Sequence, residues 1–194
     1  MSEMKPITIE RTADEIKILV EQAKKGDPEA FGALYTQYLT PIYRFIYFRV
    51  KNKEETEDLA QQVFLKAWNA IDRYEQQGYA FSAWLYVIAR NSITDHWKKK
   101  KAVLVDEPET TFEHIKSDDD IEGDLIRSQS REHLLRAMTK LSDEQQTILT
   151  LKFINELTNT EIEVITGKRQ DAIRALQYRA LKALKHILEN EPLE

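Results

Sequence analysis

At 194 residues with 42% hydrophobic content and only five Gly and five Pro, the chain is long enough for a core and poor in the turn residues of interrupted sheets. It has no cysteine, which excludes disulfides, thiolate metal sites and a thiol nucleophile. The net charge of −5 is unevenly spread: residues 1–101 carry +2, 102–126 carry −8 and 127–194 carry +1. A low overall charge therefore does not exclude nucleic-acid binding by either flank.

The abundance of Ala, Leu, Glu, Lys, Gln and Arg favours helix throughout. Residues 1–13 have no clear period and lack the apolar core of a signal peptide, and no apolar run approaches the ~18 residues of a membrane span. From Asp14, Ile16, Leu19, Val20 and Ala23 follow helical spacing, and Gly26 ends that helix. Asp27-Pro28 caps and starts the next, with Phe31, Leu34, Tyr35, Tyr38 and Leu39 on its buried face. Pro41 should kink or restart it, after which Ile42, Phe45, Ile46 and Val50 continue the stripe. The flanking aromatics Tyr43, Tyr47 and Phe48 read as core packing.

Asn52 with Glu55 fits a cap with a reciprocal acid. The helix that follows buries Leu59, Val63, Ala67 and Ile71 at i, i+4 spacing, with Phe64 and Trp68 alongside. Its other face shows Asp58, Gln61, Gln62, Leu65 and Asn69. An apolar side chain ringed by amides, as Leu65 is, suits a partner helix. A loop, 74–79, leads to a last helix of this half, with Phe81, Trp84, Leu85, Ile88 and Ile93 inward and Arg90, Asn91, Thr94, Asp95 and Lys98 largely outward.

Four lysines, Lys98, Lys99, Lys100 and Lys101, close that helix. A solvated helix end interacting with the dipole is the plain reading. With Tyr74, Tyr79, Trp84 and Tyr86 nearby, the alternative is phosphate tracking with base stacking. Residues 102–126 then change character: Pro108, no helical period and the acid run Ser117-Asp118-Asp119-Asp120 predict an extended linker. Asp118, Asp120, Glu122 and Gly123 briefly mimic a calcium loop, but Gln129 stands where the bidentate Glu is needed. The four histidines share no metal-ligand spacing, and no phosphate loop or nucleophile motif occurs; neither cofactor nor catalysis is expected.

The second half starts near Leu125, with Leu134, Leu135 and Met138 on its first helix. Ser142-x-x-Gln145 and Thr158-x-x-Glu161 are capping boxes; between them Ile148, Leu149, Leu151, Phe153 and Ile154 follow on one helix. Gly167 is a turn, and a final helix runs from about Gln170 to Leu188. Residues 158–179 have the layout of a helix-turn-helix, whose second helix would offer Lys168, Arg169, Gln170, Asp171, Arg174, Gln177 and Arg179 to DNA. A plain helical hairpin with a solvated basic face has the same layout.

Glu57 to Trp68 (EDLAQQVFLKAW), Phe81 to Asn91 (FSAWLYVIARN) and Gly26 to Phe31 (GDPEAF) resemble the bacterial extracytoplasmic-function, or group IV, sigma factors of RNA polymerase. The terminal helix-turn-helix with Arg179-Ala180-Leu181 matches that family's second domain. The resemblance implies an all-α fold of two small helical domains joined by an acidic flexible linker. The domains would be residues 14–101 (sigma region 2), 102–126 (linker) and 127–190 (sigma region 4). It further implies a cytoplasmic initiation factor, not an enzyme, that binds core polymerase through the β′ coiled coil and the β flap.

Residue by residue, the resemblance assigns Asp58, Gln61, Gln62, Leu65 and Asn69 to the polymerase. It assigns Tyr74, Gln76, Gln77, Tyr79, Arg90, Asn91, Asp95 and Lys98 to Lys101 to the melted −10 element. The −35 duplex falls to the seven residues of the final helix and its lead-in. In the family the linker threads the polymerase channel towards RNA exit. An anti-sigma partner is common, although no residue here demonstrates one. Five positions depart from the family pattern: Glu163 for a small Ala, Arg169 and Asp171 for Ser and Gly, and Leu176-Gln177 for Arg-Leu, which would bury Leu176 and free Gln177. The chain stops six residues past Leu188, so no added regulatory domain is expected. Two other readings stay open: a helix-turn-helix regulator acting without polymerase, for which the Asp58–Leu65 face would have no use, and a helical enzyme, which would need clustered acid/base groups.

Overall fold

The computed structural model describes residues 11–75, 79–103 and 133–191, and every regular element among them is helical. Helix α1 spans Ala13–Lys24, α2 Pro28–Val50, α3 Lys53–Ala70 with a 3-10 turn over Ile71–Arg73, and α4 Phe81–Val103. Residues 133–139 form α5. Helix α6 spans Asp143–Leu149 and widens into π geometry over Thr150–Ile154; α7 spans Asn159–Thr166 and α8 Gln170–Asn190. The acidic segment and its expected linker role lie outside the described residues.

The ends of the helices are set by local chemistry. Asp27 Oδ1 accepts from the amides of Glu29 and Ala30 at 2.9 and 3.2 Å, and Pro28, lacking an N–H, wastes no donor at the first helical position. Ser142 and Thr158 each close the expected reciprocal capping box with Gln145 and Glu161. Thr12 closes a third with Glu15, one turn ahead of the apolar run that marked α1 in the sequence. Gly26 (φ 88°) and Gly167 (φ 69°) take left-handed backbone at the turns after α1 and α7, where a Cβ would be strained.

Two local expectations are corrected. Helix α2 does not restart at Pro41; it runs on through it as one element. Leu34 on one side and Ile42, Phe45 and Ile46 on the other are all buried, so packing on both flanks outweighs the lost hydrogen bond. Asn52 caps α3 by accepting from the Glu55 amide at 2.9 Å, but the Glu55 carboxylate does not return to it. It reaches α4 instead, pairing with His96 Nε2 at 3.0 Å and Lys100 Nζ at 2.9 Å. After α6 the π turn, closed by Asn155 N–H to Thr150 O at 2.9 Å, adds a residue to the coil; Phe153 there is exposed while Leu151 stays buried.

Of the aromatics on α2, Phe31, Tyr35, Tyr38 and Phe45 pack into or against the core, but Tyr43, Tyr47 and Phe48 do not: they are half-buried and stack on one another outside it. Edge-to-face pairs Phe31–Trp68, Tyr35–Phe64 and Phe45–Tyr86, with centroids 4.9, 4.7 and 5.4 Å apart, lock α2 onto α3 and α4. In the C-terminal group Ile148, Leu151, Ile162, Ile165 and Ile173 fill the space between α6, α7 and α8. The two groups meet: their buried side chains form one contiguous cluster.

Candidate polymerase-docking and nucleic-acid interfaces

Helix α3 presents Asp58, Gln61, Gln62, Leu65 and Asn69 along one side, at steps of three and four residues, and all five are exposed. Leu65 is 61% exposed although the opposite side of the same helix is buried. Beside this face lies a groove between α2 and α3 of about 320 Å³, lined by Tyr35, Leu39, Tyr43, Ala60 and Gln61 among others. Burial, with the negative charge of Glu57, raises the Tyr43 phenol above its ordinary pKa, so it stays a neutral hydroxyl at the groove wall. Polar side chains around an apolar anchor are what a docking helix needs.

The proposed −10 set divides. Asn91, Asp95, Lys98, Lys99 and Lys101 are exposed along α4. Lys100 is held by Glu55 and lies over the Trp97 ring at 5.5 Å, so it braces α4 against α3. Arg90 is half-buried, and its Nη1 donates to the carbonyl of Ile165 in α7 at 3.3 Å. In the loop, Tyr79 is 47% exposed and keeps a free ring. Gln76 and Gln77 lie outside the described residues.

Tyr74 departs from expectation. It is 7% exposed, wedged against Phe81 and Trp84, and its hydroxyl donates to the Tyr79 carbonyl at 3.3 Å. Tyr86 is likewise buried. Neither offers a stacking face here; Tyr74 pins the end of the loop that carries Tyr79. The apolar sequence around it, Ile71 before and Phe81 after, is the signal that marks it as core.

On the helix-turn-helix, Arg169, Asp171, Arg174 and Arg179 are exposed, and Arg169 pairs with Asp171 at 3.7 Å. Lys168 is tied to Glu144 at 2.7 Å; that bond and charge hold the Glu144 carboxyl below its ordinary pKa. Gln170 donates to Thr160 Oγ1 at 3.4 Å. Leu176 is buried as expected, but Gln177 is not freed: it donates to Asn159 Oδ1 at 3.0 Å and clamps α8 to the start of α7. One outward residue escaped the sequence reading. Tyr178, one turn beyond Arg174 on the same side, is 69% exposed. The alternation of Leu176 and Ala180 around it in the buried stripe is the clue to its orientation.

The helices that carry these residues match known families. Residues 34–103 match the model of Sigma-70 region 2, and residues 131–184 match that of Sigma-70, region 4. The ECF RNA polymerase sigma factor SigW of Bacillus subtilis is 32% identical over 183 residues, covering 90% of this chain and 97% of SigW. The chain belongs to the extracytoplasmic-function sigma factors. A further relative, the ECF sigma factor BldN of Streptomyces coelicolor, is 39% identical over 176 residues, covering 89% of this chain and 66% of BldN. Among solved structures, CnrH in complex with the cytosolic domain of CnrY superposes with a TM-score of 0.70 at 21% identity, covering 93% of this chain and all of that one. The sigma factor RpoE of Bartonella quintana, in complex with the anti-sigma factor NepR, also gives 0.70, at 22% identity, covering 84% and 98%. At these identities the likeness is one of fold. As a sigma factor the chain acts in transcription initiation with RNA polymerase, and the sigma regions fall on the helices described above.

Proposed function

We propose that this sigma factor docks on the β′ coiled coil of core polymerase through Asp58, Gln61, Gln62, Leu65 and Asn69, and on the β flap through its C-terminal group. The reading is carried by one observation: an exposed leucine ringed by acid and amide on a helix whose opposite face is buried. A regulator that acted without polymerase would leave that side chain in water to no purpose. Residues 14–101 form the docking and −10 unit, 102–126 the linker and 127–190 the −35 unit. Tyr79, Asn91, Asp95, Lys98 and Lys99 handle melted DNA, joined by Arg90 once it is free. Gln170 and Arg174 read the −35 duplex, and Arg169 and Arg179 contact its phosphates.

The chain has no chemistry of its own and works in the cytoplasm beside the polymerase. Among the described residues no helix is long and apolar enough to cross a membrane, and no group of acid and histidine side chains could hold a metal ion. An anti-sigma protein is a further partner, by analogy with the two complexes of similar fold. Co-purification with core polymerase tests the docking face. The Asp58→Lys/Leu65→Ala variant is expected to keep its helical circular dichroism and lose the polymerase. Retention equal to wild type would refute the assignment.

A further inference from the structure

The buried residues of α8 fix which of its side chains point away from the protein. Ile173, Leu176 and Ala180 face the core. With 3.6 residues per turn, the opposite ridge runs through Asp171, Ala175 and Tyr178 at i, i+4 and i+7, and all three are exposed. Asp171 stands in the first turn of α8, the part of a recognition helix that meets base edges. Its side chain is 77% exposed. Among the described residues its ion-pair partner is Arg169, whose Nε lies 3.7 Å away with both groups in water. Its neighbours are committed elsewhere, Lys168 to Glu144 at 2.7 Å and Gln177 to Asn159 at 3.0 Å.

An acid in the first turn also suits the positive end of the helix dipole, and that alone would account for an aspartate. It does not account for the pairing. Arg169 and Asp171 stand where the family pattern has Ser and Gly, and the two departures contact each other. A carboxylate brought to duplex DNA is repelled by the phosphates and by the acceptor edges of guanine and thymine. In the major groove it is matched only by an exocyclic amino group, cytosine N4 or adenine N6. Adenine sets the acceptor N7 beside its amino group and so suits an amide, which both donates and accepts. Cytosine offers its donor with no acceptor beside it on the same base, which suits a carboxylate. Arg169 supplies the charge that offsets phosphate repulsion. An ion pair this exposed is worth little against water, so Arg169 can turn to the backbone while Asp171 faces the base. Ala175 keeps the ridge low between Asp171 and Tyr178, which lie about 10 Å apart along the helix, or about three base steps.

We infer that Asp171 is a specificity-determining residue: its carboxylate accepts from a cytosine N4 amino group in the major groove, and the promoters this chain selects carry a cytosine at the matching −35 position. This rests on the proposed reading of the −35 duplex by α8. Arg174 suits an acceptor edge such as guanine, so Asp171 adds a base of opposite demand to the same helix.

The test uses holoenzyme formed from core polymerase and the full chain. It is bound to a duplex promoter library randomised over the −35 element, and the retained templates are sequenced. The wild type should enrich cytosine at one position at least about tenfold over each other base. Asp171→Ala should flatten that position and leave the rest as they were. Asp171→Asn should move the preference there to adenine, because an amide meets N6 and N7 together. Thermal melts of each variant separate the dipole role, which would lower stability without moving any base preference. A wild type that enriches no cytosine, or a cytosine preference that Asp171→Ala leaves intact, overturns the inference. If Arg174→Ala still alters base preference in that library, the −35 reading stands without Asp171. A wild type with no −35 preference at all would overturn that reading and this inference together.

Discussion

Leu65 and Tyr74 show how one residue type can be placed by function or by packing. Burying a leucine is worth about 1.5–3 kcal/mol, so a leucine left in water on α3 holds that free energy in reserve for a partner. Tyr74 has spent its own on the core. Tyr74→Phe should therefore cost only the hydroxyl bond to Tyr79, about 1 kcal/mol in chemical denaturation, with little effect on DNA affinity. A large loss of single-strand affinity without loss of stability would return Tyr74 to the stacking surface. Lys51 supplies a pH signature. Its left-handed backbone (φ 63°) carries an ammonium buried over the Phe48 ring, and burial lowers its pKa from 10.5 to about 8. Between those values the unfolded chain binds the proton and the folded chain does not. Stability should rise as pH goes from about 8 towards 10.5, and Lys51→Met should flatten that rise in a pH series of thermal melts.

At the scale of the element, the sequence was most legible where chemistry is local. The caps at Asp27, Ser142 and Thr158, the turn at Gly167 and the period of the apolar stripes each depend on residues within a few positions of one another. It was least legible where a distant side chain decides. Pro41 continues its helix because packing holds both flanks; Glu55 leaves its own cap for His96 and Lys100; Gln177 clamps to Asn159 rather than facing DNA. The five α3 residues could be named in advance because an exposed face needs no tertiary partner. Arg90 could not be placed, since its partner is 75 residues away. For the −35 helix, Arg174→Ala should change promoter preference by about 1–3 kcal/mol at one position, measured by competition between promoter variants. Equal loss on every promoter would make Arg174 a phosphate contact only.

The whole molecule carries its charge in a pattern that the net value conceals. The two helical flanks are near neutral with local basic clusters, and the excess acid sits in residues 102–126. Neutralising Lys98, Lys99 and Lys101 should weaken binding to all sequences alike and reduce the slope of log affinity against log salt, by about 0.7 for each single-strand phosphate left without its lysine. Lys100, committed to Glu55, should contribute less to that slope than its neighbours.

The central claim is that this chain gives core polymerase its choice of promoter. The most direct measurement is in vitro transcription by purified core polymerase over a promoter library, with and without the protein. Transcripts are expected from templates that share a −10 and a −35 element, lost with Asp58→Lys/Leu65→Ala and shifted in −35 preference alone with Arg174→Ala. Transcript output indistinguishable from that of core polymerase by itself would contradict the claim.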